Sequence, residues 1–184
     1  MKQKVQPKVN EEYLKAYYDN EANANRHMSF ANTFGAVIMA VIWTLYLTGA
    51  FEVHAAILPI INVVFPLGIA VLLTPLLYVF LFKDKVRKPR YKYFVLFSFI
   101  LVIAALNVII PKHTMIAWAL PLIMANHYYN PKVGRTVFVT TLIMMPLCMY
   151  AAMFVGEYDP NLIGNGLIVN GEIVYPDGAQ ARFD

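Results

Sequence analysis

Five long uncharged, mostly apolar runs, at residues 28–51, 55–82, 93–110, 114–129 and 137–155, constrain this chain more than anything else in it. A helix needs about 20 such residues, at 1.5 Å rise each, to cross a hydrocarbon layer roughly 30 Å thick. The runs absorb an apolar share of 59% and leave only 14% charged residues, against about 45–50% and about 25% in soluble domains. The expected fold is therefore an all-α integral membrane helical bundle with five transmembrane helices. Its parts are a cytoplasmic segment at 1–27, the bundle at 28–155, and a tail at 156–184.

Charge fixes the expected orientation. The connection "KDKVRKPRYK", residues 83–92, holds six Lys/Arg against one Asp, and five more basic residues precede residue 28. Lys and Arg near membrane ends stay on the cytoplasmic side, so both segments belong there. The formal charge of +4 reads as a topology signal and not as a nucleic-acid surface. The connections at 52–54 and 111–113 then lie outside.

The fourth run, in "TMIAWALPLIMANHYYNPK", contains Pro121 and turns polar at Asn126. It is read as a slightly short span, with a re-entrant dip as the alternative, because Lys132 and Arg135 stand just before the fifth run. Tyr128 and Tyr129 read as interfacial anchors. Five spans place the tail outside, in a multi-pass protein of the cell membrane with a cytoplasmic N-terminus. In that tail, "LIVNGEIVY" sets Asn-Gly between two β-branched stretches, a hairpin signal.

At the other end, "NEEYLKAYYDNEANANRH", residues 10–27, has helical spacing of Tyr13 and Tyr17 and is expected as a short helix, surface-bound or solvated. Prolines 59, 66, 75, 121 and 146 fall within apolar runs, where they kink helices or are re-satisfied by neighbours. Asn62 is expected to hydrogen-bond across the bundle.

The sequence has no HExxH, GxSxG, P-loop or paired-cysteine motif, and no carboxylate inside an apolar run. The expectation is a non-enzyme with no cofactor and no metal site. The candidate ligand-binding or sensing residues lie on the outer side: Glu52, His54, Asn107, His113 and Trp118. These could converge on a shallow pocket for a small ligand, with histidine giving a pH response. Solvated loops and an interfacial tryptophan are the bland alternative. The partners expected are the lipid bilayer and that small ligand, with no nucleic acid. A homodimer is compatible with so few helices, but no GxxxG lies within an apolar run to specify one.

The stretches "WTLYLTGAFEV", "KDKVRKPRYKY" and "ALPLIMANHYYNPK" resemble the amino-terminal multi-spanning input modules of Firmicute-type bacterial signalling proteins. In those, about six helices precede a cytoplasmic diguanylate cyclase, chemotaxis-transducer, histidine kinase or phosphatase domain. The resemblance covers residues 28–158 and implies a sensory or regulatory module of signal transduction. This chain departs from the pattern in having no sixth apolar run and no effector, so it is expected to be a fragment. The rival reading is a small transporter or channel component, which would need polar groups or broken helices near the midplane.

Overall fold

The computed structural model describes residues 11–51, 57–82, 86–110, 114–155, 167–169 and 172–174. Five α-helices carry the described chain: α1 (Glu11–Leu47), α2 (Leu58–Leu81), α3 (Tyr91–Ile109), α4 (Ala119–Asn126) and α5 (Pro131–Val155). A 3-10 turn, Met115–Trp118, leads into α4. Four of the helices are long and apolar enough to cross a membrane. The expectation of five span-length helices is corrected to four.

The fourth run falls short because it is not one helix. Pro121 sits in the first turn of α4, where its missing N–H costs nothing, and the residues before it tighten into the 3-10 turn. Met115–Asn126 is only an apolar helix of 10–17 residues; at about 2.0 Å and 1.5 Å per residue its two parts reach roughly 20 Å. It nevertheless leads from Thr114, bonded to Asn107 near the end of α3, to His127, whose ring lies 5.9 Å from that of His27 on α1.

The boundary expected at residues 27 and 28 is absent from the structure. With neither Pro nor Gly between residues 11 and 34, nothing stops the helix, and α1 continues for 37 residues, roughly 55 Å. It ends at Gly49, whose φ of +73° is the left-handed conformation that terminates helices. Asn130 opens α5: its side chain accepts from the Lys132 N–H at 3.0 Å, and Pro131 takes the first helical position.

α1 packs along α2 and α3, and α3 also packs on α5. α3 is the hub, with Val95, Leu96, Ile100, Val102 and Ile103 all buried. The outward faces are apolar too, among them Phe34, Val63, Leu67, Ile123, Leu142 and Phe154, as a bundle solvated by lipid requires. Pro66 and Pro75 lie inside α2 and Pro146 inside α5 without ending either helix. Asn62 accepts from the Trp43 indole at 3.0 Å, the cross-bundle bond expected of it.

Apart from the bundle, β1 (Leu167–Val169) pairs antiparallel with β2 (Glu172–Val174), with Leu167 opposite Val174. The expected hairpin tail reduces to this short ladder; residues 156–166, 170–171 and 175–184 lie outside the described residues.

Asn130→Ala removes the cap of α5 and should lower stability by about 1 kcal/mol. Thermal unfolding of the purified protein in detergent measures it, with a leftward shift of the melting curve as the expected result.

Candidate functional site

α1 meets α3 along a line of polar residues, Glu21, Asn25, Ser29 and Asn32, at helical spacing on one face. The Asn25 amide donates to the Val86 carbonyl at 2.6 Å. The Ser29 hydroxyl lies 2.9 Å from that of Tyr91, which donates to the Pro75 carbonyl at 2.7 Å and so ties in α2. The Asn32 amide donates to the Val95 carbonyl at 3.1 Å and to the Ser98 hydroxyl at 3.0 Å. The side-chain carbonyl oxygens of Asn25 and Asn32 are buried with no partner among the described residues.

At the basic end of this seam the Lys92 ammonium donates to Glu21 at 2.6 Å, and only 7% of either side chain is exposed. A buried pair is held together by the cost of separating it, because removing one partner strands the other charge. Nearby, Arg87 and Asp19 pair at 3.2 Å, but at 64% and 45% exposure such a bridge contributes about 0–1 kcal/mol.

The Glu21–Lys92 pair forms one wall of a pocket of about 470 Å³, closed on other sides by His27, His127, Tyr128 and Asn130, within the roughly 300–1,000 Å³ of small-molecule sites. The turn joining α4 to α5 supplies His127 to Asn130, and α1 supplies most of the remainder. Tyr129 adopts a φ of +47° there, and it turns outward, 93% exposed, while Tyr128 points in. The Tyr128 hydroxyl is buried and has no hydrogen-bond partner among the described residues. Burial pushes its phenol well above the ordinary tyrosine range, and Tyr91 and Glu21 push it the same way.

A second cavity, of about 340 Å³, lies further along α1 between α2, α3 and the 3-10 turn, walled by Gly35, Met39, Phe65, Phe99, Ile103 and Ala117. Its lining is almost wholly apolar and suits an aliphatic chain. Gly35 is needed there: a Cβ would stand 2.9 Å from the Phe99 ring.

Of the residues singled out in the sequence, Glu52, His54 and His113 lie outside the described residues. Asn107 and Trp118 are described, and both are buried. The Asn107 amide donates to the Thr114 hydroxyl at 3.0 Å, while its carbonyl oxygen and the Trp118 indole N–H have no partner. They share one end of the bundle, turned inward. Among the described residues no group of three or more His, Cys, Asp or Glu is placed to hold a metal ion.

Glu21, Asn25, Ser29, Asn32, Lys92 and Tyr128 escaped sequence reasoning. The signal was the spacing 21, 25, 29, 32, which carries a polar stripe from a charged segment into an apolar run.

The whole defines a multi-pass helical membrane bundle with a polar pocket at its basic end. No protein-family model, curated protein or solved structure matches the chain.

Lys92→Met alone, or Glu21→Leu alone, should destabilise the bundle by about 3–5 kcal/mol by stranding the other charge, whereas the double variant should recover most of the loss. Denaturant unfolding in mixed micelles of all three variants and the parent closes the cycle.

Proposed function

We propose that the chain is a membrane-embedded sensory or regulatory module, a non-enzyme that relays a signal between the two faces of the bilayer by shifting α1 against α3. The observation that carries this reading is the incomplete satisfaction of the seam. Two buried amide oxygens, on Asn25 and Asn32, lack partners, at a cost of about 1–3 kcal/mol each. A second packing in which they gain partners therefore lies within a few kcal/mol, and a two-state element needs such a gap. α1 suits the role because one unbroken helix reaches from the polar pocket to the turn at Thr48–Gly49.

In this reading the fourth run is a fifth crossing, short but shielded by its neighbours, at fractions of a kcal/mol per Å of mismatch. The basic end faces the cytoplasm by the charge rule, with the N-terminus inside and the tail outside. Asn107 and Trp118, both buried, stand at the outer end, where in this reading a small ligand or proton acts. The resemblance to Firmicute-type input modules supports the same assignment.

Spin labels on Tyr18→Cys and Lys88→Cys, in a Cys148→Ala background, report the separation of α1 from the turn that leads into α3 by double electron–electron resonance. The expected result is two distances in bilayer discs, whose ratio Asn32→Leu changes by about 5–150-fold, the equivalent of 1–3 kcal/mol. A single distance unmoved by that substitution would remove the two-packing mechanism.

A further inference from the structure

The pocket at the basic end offers more donors than its own residues use. Lys92 carries three N–H donors, and among the described residues its only acceptor is Glu21. The Tyr128 hydroxyl has none. His27 and His127 bring imidazoles to the same pocket, and Asn130 brings an amide. These groups converge from α1, from α3 and from the α4–α5 turn, which fits a tetrahedral oxyanion better than a planar carboxylate. One acceptor, the Glu21 carboxylate, also faces the pocket; an anion alone would be repelled by it, whereas an anion carrying a hydroxyl could donate to it. The depth is that of a headgroup, since Lys92 is the second residue of a helix that starts its apolar span at Tyr91.

We propose that this pocket binds a phosphate ester bearing a free hydroxyl, with the phosphate oxygens on Lys92, Tyr128 and the histidine pair and the hydroxyl on Glu21. A phosphoglycerol lipid headgroup and a soluble glycerol phosphate share that chemistry. Basic pockets between helices at a membrane surface are suited to such groups, and charge-assisted bonds to phosphate are the strong ones. The site requires no movement of α1 and stands independently of the two-packing mechanism.

Tyr128→Phe tests the site directly, because the hydroxyl it removes bonds to nothing among the described residues. The full chain in neutral detergent is titrated with phosphatidylglycerol, with phosphatidylcholine and with glycerol 3-phosphate while its melting temperature is followed, since a ligand that binds only the folded state raises it. A saturable rise with phosphatidylglycerol but not phosphatidylcholine identifies a lipid headgroup, and a rise with glycerol 3-phosphate identifies a soluble ester; either supports the proposal. Tyr128→Phe should melt no lower than the parent without ligand, yet need about ten-fold to a hundred-fold more ligand for the same rise, the loss of one bond to a charged group. His127→Gln, at an exposed position, should weaken binding in the same direction. Equal responses to the two lipids with no response to glycerol 3-phosphate would overturn the site, as would unaltered binding by both variants.

Discussion

The contact between α1 and α3 governs the rest of the bundle, because lipid tails are as apolar as leucine and supply no hydrophobic force to hold helices together. What remains is close packing and polar bonding; α1 packs more extensively on α2, while the buried side-chain bonds are concentrated on the seam with α3. Ser29 and Asn32 reach the backbone or hydroxyls of α3, Asn25 reaches the Val86 carbonyl just before it, and the missing side chain of Gly35 lets the Phe99 ring approach. Sliding either helix by a turn would break every one of these contacts together. The seam therefore fixes register as well as adhesion, which a uniformly aliphatic interface could not do.

Other features inherit their positions from that register. The Tyr91 hydroxyl bonds Pro75 on α2 while touching Ser29, so α2 is located by the same residue that locates α1. Lys92, one position further on, points to the other side of Tyr91 and meets Glu21. The α4–α5 turn then closes over the pair, with Tyr128 inside and Tyr129 outside. The left-handed backbone at Tyr129 is a mild strain, about 1–2 kcal/mol for a residue with a Cβ, and it allows the chain to turn within four residues.

Hydropathy made four helices of span length legible, because length and apolarity are properties of residue types. The cap at Asn130–Pro131 and the end of α1 at Gly49 were equally local and equally readable. Other features depend on direction, and a list of residue types does not contain direction. Lys92 read as one more charge of a topology-setting loop, although a buried carboxylate seventy-one positions away holds it. Asn32 lies within an apolar run that hydropathy reads as a whole, and its partners on α3 lie outside any local window. The boundary between residues 27 and 28 followed composition; the backbone has no reason to stop there, and α1 runs through it. Asn107 and Trp118 were placed by their nearness to loops, yet both side chains turn into the bundle.

One helix forms a wall of both cavities. Glu21 and His27 of α1 line the polar pocket, and Gly35, Met39 and Tyr46 of the same helix line the apolar one. Between them stand Asn25 and Asn32, the two amides with unpartnered oxygens. A rigid helix cannot rotate at one cavity and stay fixed at the other, and packed interfaces change between discrete arrangements more readily than by gradual deformation. If α1 shifts between two packings as proposed, occupancy of either cavity would bias the fit of the other through this seam, with a sign set by which packing each occupant prefers.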